Sequence, residues 1–311
     1  MSQVLPVELL ADCLAYCSPA DLCSASCASH VLQQEAEAIL YRHVVLGSWH
    51  TRAVVGSICR RPARATCIRT LDVADLHARS VDLTVLLSKL PKLVSLSLRA
   101  CNGISLASFP FRLTSLVIHA DCDELTAPEL ARFLETQNQI RKLELVASLD
   151  FLRHTNLIAS ALNSRTTVLP HLQSLRAPRR LVTALIPGRP LQHIAIQHGF
   201  TSDDHDDGVV NGSIGFYHSL TQSTAPVLSL SFRCCDGMAT LHRLAEVAPQ
   251  LQKLKLLIHQ NAILESFTLV VMVEGNLPIW KANLEALRPQ FEMLVLLALQ
   301  NGAEVDVTAS Y

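Results

Sequence analysis

The stretch "PKLVSLSLRAC", Pro91 to Cys101, sets Leu93, Leu96 and Leu98 in the order apolar, two others, apolar, one other, apolar. Ser95 and Ser97 alternate with Leu96 and Leu98, which is the period of a strand with one buried face. The pattern returns at Ile68-Leu71-Val73, Leu113-Leu116-Ile118, Ile140-Leu143-Leu145, Leu172-Leu175-Ala177, Leu191-Ile194-Ile196, Val227-Leu230-Phe232 and Leu251-Leu254-Leu256, with a further match at Phe291-Leu294-Leu296. Pro91, Pro110, Pro170, Pro190, Pro226 and Pro249 stand just ahead of a match. Proline there stops a preceding helix and admits an extended segment.

Segments between the matches read as helices. "TAPELARFLETQ", Thr126 to Gln137, opens with a Thr-x-x-Glu capping box. The spacing of the matches, mostly within about 20–29 residues, resembles that of leucine-rich repeats. Cys101 and Cys235 fall at the ninth position of their units, where that repeat takes Asn or Cys. The expected fold class is therefore α/β, with an irregular leucine-rich-repeat solenoid over 68–300, a curved parallel sheet backed by outer helices, and a tail at 301–311. Each unit of such an array buries its strand face only by stacking on neighbours. Longer gaps after Ile140, Leu191 and Leu251 are insertions or units without a readable register. A conventional α/β domain of alternating strands and helices is the competing arrangement.

The N-terminal segment is punctuated differently. Pro6 suits the first turn of a helix, and Leu9, Leu10, Cys13, Leu14 and Cys17 recur at helical spacing. Ser18 can cap a second helix, Pro19 fits its first position and Asp21 lies near the positive end of its dipole. A third helix is expected from about Val31 to Arg42, with Leu32, Ala36, Ile39 and Leu40 on one face. Three short helices cannot build a core of useful size, so their apolar surface needs the rest of the chain or a partner.

"LPVELL" (Leu5 to Leu10), followed by Tyr16 and then "SPADL" (Ser18 to Leu22), resembles the F-box motif, and "EAILYRHVVL" (Glu37 to Leu46) is similar to the end of many fungal F-box modules. The resemblance covers residues 1–46 and leaves 47–67 as a linker or junction helix. It implies a substrate receptor of an SCF-type cullin–RING ubiquitin ligase. Leu5, Pro6, Leu9, Leu10, Leu14, Pro19 and Leu22 would dock on a Skp-family linker protein, and through it on a cullin. The repeats would hold a target protein. The other reading is an interaction scaffold whose N-terminal helices only cap the repeats.

Composition is consistent with either. Of 311 residues, 50% are hydrophobic and 17% charged, and the formal net charge is -1, so nothing global points to nucleic acid or a membrane surface. The first basic residue is Arg42, which leaves no charged region ahead of an apolar core as a secretory signal has, and a cytoplasmic or nuclear location is expected. The apolar run "SFTLVVMV" is far shorter than the roughly 20 residues of a spanning helix.

Ten cysteines are then expected as reduced thiols. Cys13, Cys17, Cys23 and Cys27 have a helix start between the pairs and no histidine at finger spacing. They read as small apolar side chains rather than zinc ligands.

Residues alternating with the buried positions would line the concave face. Arg99, His119, Lys142, Arg176, His193, Arg233, Lys253 and Lys255 outnumber Asp72 and Glu144 there, which favours an acidic or phosphorylated target. "TSDDHDDG", Thr201 to Gly208, has calcium-loop composition without the spacing and reads as an acidic insertion. The basic "CRRPARATCIR", Cys59 to Arg69, reads as a solvated junction face. Phosphate loops, nucleophile elbows and HExxH pairs are missing, so neither enzymatic activity nor a cofactor or metal is expected.

Overall fold

In a computed structural model, the chain is described over residues 6–47, 51–74, 80–99, 106, 109–119, 127–146, 158–160, 162, 167–197, 209–234, 243–244, 246–261, 266–274 and 306–309. It is an α/β protein that divides into two compact units, Met1–Ile140 and Arg141–Tyr311.

The first unit begins with helices α1 (Val7–Leu14), α2 (Pro19–Ala28) and α3 (His30–Leu40). Ser18 caps α2: its Oγ accepts from the Asp21 N–H at 3.2 Å and donates to the Asp21 carboxylate at 2.6 Å. Ser29 caps α3 by accepting from the Leu32 N–H at 3.2 Å. The helices close on a small core of Leu14, Leu22 and Ala36, with Leu10, Ala25, Leu32, Ile39 and Leu40 packed against it. This is the face read from the sequence for the third helix, although that helix stops at Leu40.

Four strands follow, β1 (His43–Leu46), β2 (Thr70–Val73), β3 (Ser95–Leu98) and β4 (Ser115–His119). They pair in parallel and in sequence order, with His43, Thr70, Ser95 and Ser115 in register. Helices α4 (Thr51–Arg60) and α5 (Pro62–Ala65) connect β1 to β2, α6 (Ser80–Ser88) connects β2 to β3, and α7 (Ala127–Thr136) follows β4. Parallel neighbours require such crossovers.

The repeating apolar positions are the core: Ile68, Leu71, Val73, Leu93, Leu96, Leu98, Leu113, Leu116 and Ile118 are all buried. Leu83, Leu86 and Leu87 of α6 and Leu130, Phe133 and Leu134 of α7 are buried at helical spacing.

In the second unit, β5 (Lys142–Val146), β6 (Ser174–Pro178), β7 (His193–Gln197), β8 (Ser229–Cys234) and β9 (Lys253–Asn261) also run parallel in sequence order. Helix α8 (Arg179–Leu185) packs on β6, β7 and α9 (Val209–Thr221). Leu143, Leu145, Leu172, Leu175, Leu191, Ile194, Val227, Leu230, Phe232, Leu251 and Leu254 form the same buried face.

Pro170, Pro190, Pro226 and Pro249 precede β6 to β9, where chain termination of a helix was expected. Among the described residues, no helix is long and apolar enough to cross a membrane.

Three strands depart from the expected series, the last of them, at Asp306–Ala309, within the segment expected as a tail. β1 lies ahead of the first readable repeat, inside the segment assigned to the helical module. β10 (Ser266–Glu274) runs antiparallel to β9, with Ser266 opposite Asn261 and Glu274 opposite Lys253, and β11 (Asp306–Ala309) pairs in parallel with β10. The sheet of the second unit is thus not parallel throughout. The match at Phe291-Leu294-Leu296 lies outside the described residues.

Two buried polar side chains close gaps in the backbone pairing. Gln137, after α7, accepts from the Leu113 N–H at 2.9 Å and donates to the Phe111 carbonyl at 3.4 Å. Arg189, between α8 and β7, donates from Nε to the Val168 carbonyl at 2.8 Å and from Nη1 to those of Leu185 at 3.0 Å and Pro187 at 3.1 Å. Leu169, next to Val168, is a buried non-glycine residue at φ 56°, so the turn ahead of β6 is held in a sparsely populated conformation.

Candidate functional site

The first candidate is the outer side of the N-terminal helices. The seven residues read as linker contacts separate by burial. Leu14 at 6% exposure and Leu22 at 3% belong to the core of the three helices. Leu10 is half-buried, and Pro6 and Pro19 are exposed. Leu9, at 52% exposure, stands on the outside of α1 with Val7, and Tyr16 reaches 93% at the α1–α2 connection. Leu5 lies outside the described residues.

Burying one such side chain is worth roughly 1.5–3 kcal/mol, so Val7, Leu9 and Tyr16 each gain by being covered.

Cys13, Cys17, Cys23 and Cys27 are free and exposed. The expectation that they fill apolar positions as small packed side chains is corrected: Cys13 on α1, Cys17 in the connection and Cys23 and Cys27 on α2 all stand outside the core of Leu14, Leu22 and Ala36. Among the described residues, no group of three or more His, Cys, Asp or Glu is placed to hold a metal ion.

A polar knot ties the helices to the rest of their unit. Glu37 of α3 accepts from Arg64 Nη2 at 2.6 Å, from Arg61 Nη1 at 3.1 Å and from Gln33 at 3.3 Å. The Arg64 hydrogen bond holds the Glu37 carboxyl below its ordinary value of 4.5, against the opposing effect of burial. Arg64 also donates to Ser57 and lies over the Tyr41 ring at 5.0 Å, while the Tyr41 hydroxyl and Ser57 are 2.9 Å apart.

The second candidate is the outward strand face. In the first unit Arg99 lies 3.7 Å from Asp72, and His119 is half-buried at the end of β4. In the second unit the register builds two rows across β5 to β9. Lys142, Ser174, His193, Ser229 and Lys253 form one, and Glu144, Arg176, Ala195, Ser231 and Lys255 the other. Neighbours in a row are roughly 4.8 Å apart.

Glu144 sits 2.9 Å from Lys142 and 4.0 Å from Arg176, which lowers the positive field of that face. Lys142, Arg176, His193, Lys253 and Lys255 are exposed. Arg233 is in β8, and its side chain lies outside the described residues, as do Cys101, Cys235 and residues 201–208.

The face presents hydroxyls and cations, with Glu144 as the carboxylate of the two rows. Gln137 and Arg189, which sequence reading did not single out, serve the backbone rather than this face. A lone polar residue between apolar positions gives no pattern to find. No family model matches the chain, and no curated protein matches it.

Proposed function

We propose that the chain is an adaptor without catalysis of its own: the substrate receptor of an SCF-type cullin–RING ubiquitin ligase. The N-terminal helices bind a Skp-family linker, and the outward strand faces hold the target protein. Its contribution to the reaction is proximity, which raises the effective concentration of target lysines near the ubiquitin-charged enzyme. The observation that carries this reading is the exposure of Leu9, at 52%, and of Tyr16, at 93%, outside a separately closed core.

The test is a pull-down of the full chain with a purified Skp-family linker. Wild type is expected to bind one to one, and Leu9→Asp, which sets a charge in a desolvated contact, is expected to lose binding while staying folded. Absence of binding by folded wild type overturns the reading.

A second reading has its own support. The Glu37 knot ties α3 to α5, and the Arg42 carbonyl accepts from the Arg69 and Thr70 N–H groups, so the helices run straight into the first strand pair. The same helices then serve as the cap that a repeat array needs at its end, in a scaffold with no ligase partner.

A further inference from the structure

The charge of the first unit is divided along the chain. Residues 1–41 hold Glu8, Asp12, Asp21, Glu35 and Glu37 and no lysine or arginine, whereas residues 42–119 hold eleven lysines and arginines against three aspartates.

The backbone ladder decides where several of these cations go. The Arg69 and Thr70 N–H groups donate to Arg42, those of Val94 and Ser95 to Arg69, and those of Thr114 and Ser115 to Val94. Arg42 and Arg69 are therefore neighbours at the N-terminal ends of β1 and β2. Lys92 and Arg112 stand two residues ahead of the equivalent positions in β3 and β4. Arg69 Nη1 reaches the Lys92 carbonyl at 3.3 Å, and Lys89 lies just before Lys92 in sequence.

All five side chains are exposed. Adjacent strands step by roughly 4.8 Å, so Arg42, Arg69, Lys92 and Arg112 follow one another along a single edge, and the Lys89 ammonium lies beside it, 3.3 Å from the Cys59 sulfur at the end of α4. Among the described residues, no carboxylate pairs with any of the five. Glu37, the acid of the adjoining helix, is taken by Arg61 and Arg64. Like charges gathered without counter-charge raise the local potential and draw an anionic partner.

We propose that this basic rim docks an acidic segment of a partner polypeptide, whose carboxylates pair with Arg42, Arg69, Lys89, Lys92 and Arg112. Arginine receives carboxylates in bidentate fashion, which suits the three arginines of the rim. A nucleic acid fits less well. Among the described residues the exposed aromatic ring is Tyr16, which stands on the acidic helical segment and not with the rim cations, where stacked bases would need it. A polyanion longer than the rim also meets the negative charge of residues 1–41. The inference is independent of the ligase reading, because it uses only the strand-end cations.

Fluorescence anisotropy on the full chain tests it, with a short fluorescein-labelled Asp/Glu-rich peptide as probe. Saturable binding is expected, weakened at least about tenfold between about 0.05 M and about 0.3 M salt. The triple variant Arg69→Ala, Lys92→Ala, Arg112→Ala is expected to lose at least about tenfold in affinity. The charge-preserving pair Arg69→Lys, Arg112→Lys keeps most of it and guards against misfolding. Arg132→Ala, at an exposed cation of α7 outside the rim, leaves affinity within about twofold. Absence of saturable binding, retention by the triple variant, loss by Arg132→Ala, or tighter binding of a single-stranded oligonucleotide of equal charge each overturns the proposal.

Discussion

Gln137 and Leu113 are joined by a buried hydrogen bond of 2.9 Å, the side-chain carbonyl of one accepting from the backbone N–H of the other. Leu113 stands just ahead of β4, where the ladder does not use its N–H, and the amide from the end of α7 fills the vacancy. The same amide donates to the Phe111 carbonyl, so one side chain satisfies two backbone groups. Gln137→Leu strands both inside the unit. A loss of about 2 kcal/mol is expected. Hydrogen exchange at Leu113 and Thr114 checks it: protection there should fall while that of β1 and β2 is kept.

Much of the sheet was legible in the sequence. Leu71, Leu96, Leu116, Leu143, Leu175, Ile194, Leu230 and Leu254 are buried where the periodicity set them, because alternation and proline placement are local signals. β1 was not legible, since Tyr41 stands where most units have an aliphatic leading residue and no proline stands just ahead of it. The reversal at β10 was not legible either. "SFTLVVMV" is apolar at nearly every position, so it shows no alternation and no direction. The candidate face was legible as a set of outward residues. Its pairing was legible only in part: Lys142 and Glu144 stand two apart on one strand, whereas Glu144 meets Arg176 through the register of β5 against β6.

Leu9 and Leu14 lie on the same short helix at 52% and 6% exposure and are expected to behave oppositely. Leu14→Ala opens a cavity beside Leu22 and Ala36 and is expected to cost about 2–4 kcal/mol. Leu9→Ala is expected to change stability by less than about 0.5 kcal/mol. Amide exchange across α1, α2 and α3 separates the two. Equal deprotection by both substitutions contradicts the placement of Leu9 on the outside.

The Glu37 carboxylate supplies a pH-dependent contact between α3 and α5. Its folded pKa is held below the ordinary value of 4.5 by the Arg64 hydrogen bond. A carboxylate lowered on folding adds stability that is complete above its unfolded pKa and is lost as pH falls through the folded value. Glu37→Gln is therefore expected to cost about 1 kcal/mol at neutral pH, and wild type and variant should converge under acid. Thermal melts of both proteins at neutral pH and below the carboxylate range check the sign. A gap that stays constant means that Glu37 acts through shape and not charge.

Arg189 should behave in the contrary way. Burial pushes its guanidinium down to about 10. For a cation that is lowered on folding, stability rises only as pH climbs through that value, so nothing changes between mildly acidic and mildly basic solution. Its value to the fold is geometric: Nε holds the Val168 carbonyl beside Leu169, and Nη1 holds those of Leu185 and Pro187. Arg189→Lys keeps the charge but cannot reproduce the fork, and Arg189→Leu leaves all three acceptors without that donor. Losses of roughly 1–2 and 3 kcal/mol are expected in that order, flat across the neutral range. Denaturation at several pH values, read with amide exchange in residues 167–172 and 186–191, checks both. A variant cost that grows toward low pH assigns the contact to charge pairing instead of to the fork.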